Sequence, residues 1–563
     1  MPYRSPSAEI RFILDHVVPL APVSATELFA EATPETVEAI LTEAGRMCDE
    51  VIAPTNRDGD LTPAKLENGV VRSSPGFKEA FAAIAEGGWV GMAANPEYGG
   101  MGLPQAVNVA VNDMLAGANL ALQLNPLLTQ GQIEALEHHA SDEIKELYLP
   151  KLTSGEWSGT MNLTEPQAGS DVGALRTKAE PKGDGTYAVT GQKIFITWGD
   201  NDCVSNVCHL VLARLPDGGA GTKGISLFMV PKLIPDANGN PGVANSLKVV
   251  SLEHKLGIHG SPTCVMSFEG ATGWLVGEPH KGMAAMFTMM NNARLNVGVQ
   301  GIGVAEAAYQ KALEYAQERV QFTPIIEHAD VRRMLATMKA DIFAARSIGL
   351  ACAVALDMGR ATGEADWSAR AALLTPIAKA FGTDMGIWAA GEGVQVHGGM
   401  GFIEETGAAQ YLRDARITAI YEGTNGIQAM DLVGRKMMDG GKAACALLQE
   451  VEDEAKSARE VLPELAEDVW AAAETLREAT EEMVTKDMQD RFAGAVPYLR
   501  AFARVLGAHF HLRAAIAAGS GSTRERLAAV YIRRLLPQYA SALVEAQQGA
   551  AGLYALSVED LGA

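Results

Sequence analysis

The chain of 563 residues carries a net charge of −22, with 48% apolar and 20% charged residues. Such a length is too great for one hydrophobic core, so we expect a folded globular protein of two to four domains. The acidic balance argues against nucleic acid or an anionic membrane as a partner, because phosphate binding depends on clustered lysine and arginine.

The six cysteines are scattered and show no spacing typical of a disulfide framework or a zinc site. Cys203, Cys208 and His209 come nearest to a ligand cluster, but they stand in and before a strand-like run, where packing explains them better. We therefore expect no metal. The first residues resemble neither a signal peptide nor a transit peptide, and no run approaches the roughly 18 apolar residues of a membrane span. A cytoplasmic location is expected.

Residues 1–34 are interpreted as an N-terminal extension, and helical periodicity dominates residues 35–155. One helix is predicted over residues 33–50, with Thr33 as its N-cap and Pro34 at its first helical position. A second helix is predicted over residues 105–122. Residues 88–104, rich in glycine and proline, are predicted to form a connecting loop.

Short β-branched runs separated by turn residues predict a β domain over residues 156–279. Its predicted strands cover residues 158–163, 187–190, 193–197, 208–215, 225–230 and 264–268. Helical periodicity returns over residues 280–442, with long helices predicted over 283–319 and 328–356. Residues 301–306 partly mimic a dinucleotide fingerprint, but the third glycine is missing and the segment lies within a predicted helix. Residues 443–563 are predicted to form an additional helical domain.

Glu422 stands between an apolar run, residues 417–421, and the turn-forming residues 423–426. A carboxylate held against apolar surface loses hydration, which raises its pKa and suits it to act as a base near neutral pH. An acid before a helix also complements the helix N-terminus without doing any chemistry. From these residues alone, both interpretations stay open.

Three segments resemble signatures of the acyl-CoA dehydrogenases and occur in the order found in that family. They are YEGTNGIQ at 421–428, MNLTEPQAGSD at 161–171 and GQKIFIT at 191–197. A loop at 96–102, PEYGGMG, resembles a fourth. In the family, the glutamate of the Tyr-Glu-Gly-Thr run removes the α-proton of an acyl-CoA, so the resemblance implies Glu422 as the catalytic base.

The resemblance also implies an FAD site. Leu163 and Thr164 would meet the pyrimidine edge of the flavin, Phe195 would stack in place of a frequent Trp, and Thr197 would hydrogen-bond N5. Further implied FAD contacts come from Met161, Gly169, Ser170, Thr424, Gly426 and, across a subunit interface, from Arg319, Phe322, Gln395, Gly398 and Gly399. Gly426 stands where many relatives carry Gln. Implied acyl-CoA contacts are Ser170, Asn291, Arg294, Glu422 and Gly423, with Asn291 in place of a frequent Asp.

The fold that the resemblance implies is α+β. It has an N-terminal helical domain, a middle β-barrel domain, a C-terminal helical bundle and an extra C-terminal helical domain, which is typical of a larger branch that includes 3-methylmercaptopropionyl-CoA dehydrogenase. The implied activity is FAD-dependent α,β-dehydrogenation of an acyl-CoA, with 3-methylmercaptopropionyl-CoA or another short- or medium-chain ester as substrate. A homodimer and an electron-transfer flavoprotein as electron acceptor are also implied.

Two alternatives stay open at this point. An acyl-CoA oxidase shares the same motifs and differs in letting O₂ reach the reduced flavin. The same fold also supports a flavin-containing, DNA-binding alkylation-response protein, although the intact Glu422 and the acidic balance argue against that function.

Overall fold

The computed structural model describes residues 3–563, and its N-terminal region is helical. The predicted cap is present, since the Thr36 amide donates to Thr33 Oγ1 at 3.2 Å. The helix that follows, Pro34–Met47, ends earlier than predicted and passes into a π-helical turn, Cys48–Ile52. Other helices of this region are Ser7–Phe12, Thr55–Leu61, Phe77–Glu86, Gln105–His139 and Asp142–Thr153.

The Gln105–His139 helix is much longer than predicted and contains a kink at Asn119, whose backbone is not helical. The Asn119 side chain accepts a hydrogen bond from the Leu122 amide at 3.1 Å and donates one to Thr55 Oγ1 at 2.8 Å. Asn119 therefore acts as an N-cap in the middle of the helix, which restarts the helix beyond the kink.

The middle region is a β domain, as predicted. Its principal strands are Trp157–Asn162, Lys178–Pro181, Tyr187–Thr197, Asn206–Arg214, Ile225–Pro231, Leu247–Leu252 and Thr263–Val276. Five of them close into a ring, because the strands beginning at 263, 187, 178, 206 and 225 pair in that order and the last pairs with the first. The ring encloses a core that includes Val189, Phe228 and Met266.

Two of the strand predictions were wrong in detail. Residues 187–197 form one strand rather than two, since Gly191 lies within the ladder opposite Phe268. A Cβ on Gly191 would lie 2.3 Å from Thr177 Oγ1, so glycine there permits close approach rather than a turn. The short strand at 178–181 and the half-exposed one at 247–252 were not predicted, because neither shows a run of buried residues.

Three long helices form the bundle that follows: Gly282–Glu318, Ala329–Thr362 and Ala365–His397. Gly301 lies inside the first, where an added Cβ would be 2.3 Å from the carbonyl oxygen of Gly382. Its function is therefore close helix packing, in agreement with the rejection of a dinucleotide fingerprint. The Ala329–Thr362 helix is long and apolar enough to cross a membrane by length and composition alone. However, 78% of its most apolar window is buried inside the protein, as in a core helix.

The C-terminal residues form a further set of helices that pack on the bundle and on the N-terminal segment. Its main helices are Lys442–Ala458, Pro463–Met483, Ala495–Ala518, Thr523–Arg534 and Gln538–Ala546. Arg513 donates to the Val17 carbonyl at 2.9 Å, and Arg524 pairs with Glu9 at 2.9 Å. Arg491 donates to the carbonyl oxygen of Val433 at 3.3 Å, which places these helices at the end of the helix that follows Glu422.

Candidate active site

The Glu422 turn, residues 421–426, joins a short 3₁₀ segment to the Asn425–Val433 helix. Thr424 caps that helix by accepting from the Ile427 amide at 3.3 Å. Glu422 and Gly423 both adopt left-handed backbone conformations, with φ of 56° and 84°. This conformation is unfavourable for a glutamate, and such strain is concentrated at functional sites.

Glu422 is half-buried, and the pKa of its carboxyl group is raised. Burial raises the pKa to about 7, while the nearby cations of Arg294 and Lys379 act in the opposite direction. A carboxyl group that titrates near neutral pH can both take and release a proton under ordinary conditions. This environment favours the interpretation of Glu422 as a base over that of a simple helix-terminal acid.

Lys379 was not identified from the sequence. It lies within the Ala365–His397 helix, is fully buried, and donates to the Gly423 carbonyl at 3.0 Å and to Asn425 Oδ1 at 2.8 Å. Burial lowers the pKa of Lys379 to about 8, and Glu422 opposes that shift. The only signal in the sequence is a lysine inside the apolar run PIAKAFG.

Arg294 and Asn291 lie on the Gly282–Glu318 helix, near the Glu422 turn. Arg294 is buried and its Nη1 lies 3.9 Å from Asp431 Oδ2, while Asn291 is exposed. Both residues line a cavity of about 490 Å³. Among the residues that the structure describes, neither Glu422 nor Ser170 lines this cavity. The cavity therefore does not extend to the base.

The predicted flavin residues of the β domain are brought together by strand pairing. The Ile194 amide donates to the Thr164 carbonyl at 3.0 Å, which sets Leu163 and Thr164 beside the strand that carries Phe195 and Thr197. Met161 lies half-buried on the strand that leads into Leu163. Phe195 has φ of 60° and is 59% exposed, so a flat apolar ring faces outward next to polar backbone.

Lys193 holds the segment around Leu163 in place, and it was not predicted from the sequence. Its ammonium is fully buried and donates to the Leu163 carbonyl at 3.0 Å and to Glu165 Oε1 at 2.8 Å. Glu165 in turn accepts from the Arg176 and Thr177 amides. The loop that follows exposes Gly169 and Ser170, and a Cβ on Gly169 would meet nothing within 4 Å. An open loop beside an exposed aromatic ring fits a flavin and its phosphates.

Thr424 and Gly426 lie in the Glu422 turn, and the other predicted flavin residues lie at or just after the C-terminal ends of two long helices. Arg319, Gln395, Gly398 and Gly399 are exposed, and so is Phe322, which has no neighbour covering its ring. Phe322 also adopts φ of 65°. Full exposure and a left-handed backbone are both unusual for a phenylalanine in a folded protein.

Hydrogen bonds made by the Gln105–His139 helix connect the β domain with the Glu422 turn. Trp198, next to Thr197, donates to the Ala121 carbonyl at 3.1 Å. Two residues further along, Gln123 accepts from Gln300 at 2.7 Å, and the Tyr421 hydroxyl donates to Gln300. Gln300 and Gln123 were not predicted, because helical periodicity gives no sign that a polar side chain is buried.

Comparisons with known proteins agree with this architecture. Four family models match the chain: acyl-CoA dehydrogenase N-terminal domain at residues 34–156, middle domain at 160–271 and C-terminal domain at 280–438, and "Acetyl-CoA dehydrogenase C-terminal like" at 447–557. A 3-methylmercaptopropionyl-CoA dehydrogenase of Ruegeria pomeroyi is 47% identical over 458 residues, which cover 79% of this chain and 78% of the relative.

Two solved structures share nearly the whole fold. Caenorhabditis elegans ACDH-11 in complex with C11-CoA superimposes with a TM-score of 0.80, at 21% identity, covering 95% of this chain and 92% of the other. An acyl-CoA dehydrogenase complexed with FAD from Bacillus anthracis gives a TM-score of 0.72, at 21% identity, with 99% and 93% covered.

The fold and the site together define an oxidoreductase of the flavoprotein class that acts on acyl-CoA thioesters. The chain belongs to the acyl-CoA dehydrogenase family. This membership confirms the expected fold class, including the extra C-terminal domain, the enzyme class, and FAD as the cofactor. It favours neither the oxidase nor the DNA-binding alternative.

Proposed function

We propose that this protein dehydrogenates an acyl-CoA thioester to the 2-enoyl-CoA, with Glu422 as the base that removes the α-proton. The observation that carries the proposal is the position of Glu422 in a strained turn, where burial raises its pKa to about 7. FAD, when bound, accepts the hydride that leaves the β-carbon. Leu163, Thr164, Phe195 and Thr197 would hold the flavin ring, and Ser170 would lie toward its phosphates.

The α-proton becomes removable only if negative charge on the thioester oxygen is stabilised. The backbone N–H of Glu422 finds no acceptor among the described residues, so it is free to donate to that oxygen. The same residue would then supply both the base and a donor for the developing enolate. Exclusion of water around the half-buried carboxylate would strengthen both interactions.

The proposal also names the acyl group of the substrate. Similarity to 3-methylmercaptopropionyl-CoA dehydrogenase supports that ester, or another short- or medium-chain acyl-CoA, as substrate. A panel of acyl-CoA esters, mixed anaerobically with the yellow holoprotein, tests this: the preferred ester should bleach the flavin fastest. If none of the esters bleaches the flavin, the proposed function is wrong.

The electron acceptor in this proposal is an electron-transfer flavoprotein, and the alternative is O₂. Turnover in air that yields stoichiometric peroxide would identify an oxidase, whereas a dehydrogenase should need an added acceptor. A cytoplasmic location is also proposed, supported by six free cysteine thiols.

A homodimer completes the proposal. The FAD of a partner subunit would be contacted by Arg319, Phe322, Gln395, Gly398 and Gly399. The adenosine half of the FAD would lie near Thr424 and Gly426. The full exposure of Phe322 supports this assignment, because a second copy of the chain would cover the ring. Two-fold pairing is the commonest way for such a surface to close on itself.

A further inference from the structure

The Glu422 turn requires external support. Glu422 and the residue after it both have positive φ, and only glycine adopts that region without steric cost. The side-chain amide of Gln428 donates to the Glu422 carbonyl at 3.2 Å and to the Gly423 carbonyl at 3.5 Å. Both bonds come from the helix that follows the turn, so they do not fix the turn to the bundle.

The bundle contacts the turn through the Tyr421–Gln300 hydrogen bond and through the Ala365–His397 helix. Lys379 donates from its ammonium to the carbonyl of Gly423 and to Asn425 Oδ1. Asn425 Nδ2 donates to Thr383 Oγ1 at 2.9 Å and to Asp384 Oδ1 at 2.7 Å. Lys379, Thr383 and Asp384 of this helix therefore form a clamp of hydrogen bonds that holds the turn at Gly423 and Asn425.

The charged groups around the Glu422 carboxylate come from two helices. Arg294 faces it from the Gly282–Glu318 helix, and Lys379 faces it from the Ala365–His397 helix. Arg294 also interacts with Asp431 and with the like charge of Arg435. Lys379 is fully buried and forms no ion pair among the described residues, and the carboxylates whose charge acts on it are Glu422 and Asp384.

We propose that Lys379 is the positioning residue for the base: its buried ammonium holds the Gly423 carbonyl and Asn425 Oδ1 and places a positive charge beside the Glu422 turn. The inference rests on the proposed function, since Lys379 acts only through Glu422. Burial of an ammonium costs free energy, so an uncharged side chain would fill the same space at a lower free-energy cost. The charge of Lys379 therefore indicates a role beyond packing.

The test is the pH profile of anaerobic flavin reduction by the preferred acyl-CoA, compared among variants that retain FAD. Lys379→Gln keeps an N–H donor but removes the charge, so we expect the acid limb of the profile to move upward by about 1 in pH. Lys379→Arg retains the charge and should restore the position of the limb. The matched control Thr383→Val removes an uncharged contact to Asn425 and should leave the limb in place.

A second variant tests the clamp without removing a buried charge. Asn425→Ser deletes the second acceptor of the Lys379 ammonium, and we expect kcat to fall about 10-fold while the acid limb stays where it is. An unaltered kcat in Asn425→Ser would contradict the clamp. An acid limb that coincides in wild type and Lys379→Gln would overturn the electrostatic role.

The outcomes separate this inference from the proposed function. If the wild type holds FAD but no acyl-CoA reduces it, the proposed function fails and this inference fails with it. If the wild type is reduced normally and the acid limb of Lys379→Gln coincides with that of Thr383→Val, only the inference about Lys379 is wrong.

Discussion

Arg346 and Asp113 form a buried ion pair between two long helices, with Arg346 Nε 2.6 Å from Asp113 Oδ2. The same guanidinium contacts Glu9 at 2.6 Å and Glu306 at 3.2 Å. One buried cation therefore ties together the N-terminal segment, the N-terminal helical region and the helical bundle. Glu9 extends the network to Arg524 of the added helices.

We predict that Arg346→Met destabilises the protein by about 3–5 kcal/mol, because it leaves buried carboxylates without their cation. Denaturant unfolding of the FAD-loaded protein measures the effect. Arg333→Met is the matched control, since the Arg333–Asp330 pair is exposed and should contribute less than about 1 kcal/mol. Equal, small losses in both variants would contradict the structural role of the network.

Lys193→Met should lower both stability and FAD occupancy. Burial alone would raise the pKa of Glu165, but the Lys193 ammonium and hydrogen bonds from Thr177 and Arg176 hold it at about 2. Without the ammonium, Glu165 is a buried charge and the Leu163 carbonyl loses its donor. The flavin-to-protein absorbance ratio and a thermal melt measure the effect, with the exposed Lys178→Met as control. Full flavin occupancy in Lys193→Met would show that this support is dispensable.

The lowered pKa of Glu165 also predicts how the stability of the folded protein changes with pH. A carboxylate with a lowered pKa stabilises the folded state above its unfolded pKa of about 4.3. That stabilisation is lost as the pH falls through the folded value of about 2. Glu165→Gln should therefore flatten the acid side of the stability curve between these values, and an unchanged curve would contradict the assignment.

The rate of flavin reduction should rise with pH, because Glu422 must be ionised to accept a proton. In the protein without ligand the pKa of Glu422 is about 7, so kcat/KM should be half-maximal near that pH. Stopped-flow reduction at a series of pH values gives the profile. A rate that is already maximal at pH 5 would mean that the base is another group.

Phe322→Ser should weaken both self-association and FAD binding. The exposed ring would be covered by a partner subunit, and a site shared between subunits links cofactor binding to assembly. Sizing and flavin content of the same preparation report the two effects together. Val544→Ser removes an exposed apolar side chain from the added helices and serves as the control. A fully flavinated monomer in either the wild type or Phe322→Ser would exclude a shared site.

The elements with strong local signals were predicted well from sequence. Thr33 and Pro34 predict the start of a helix, and the residues after Glu422 predict the turn in which Glu422 and Gly423 have left-handed backbones. The sequence predicted two strands where the structure has one, residues 187–197, because a glycine such as Gly191 is typical both of a turn and of a close contact between strands. Local patterns cannot distinguish these two uses of glycine.

The residues that support the site were the ones missed. Lys193, Gln300 and Lys379 are polar side chains at buried positions, and what they contact is a backbone carbonyl or an amide far away in sequence. A hydrophobic period predicts which face of a helix is buried but not which polar group on that face finds a partner. Such contacts depend on how the domains pack together.

The most direct test of the account is Glu422→Gln in the FAD-loaded protein. The amide is nearly isosteric with the carboxylate but cannot accept a proton, so FAD should stay bound while the rate of anaerobic bleaching by the preferred acyl-CoA falls by about 10²- to 10⁴-fold. Bleaching at close to the wild-type rate would contradict the assignment of Glu422 as the base.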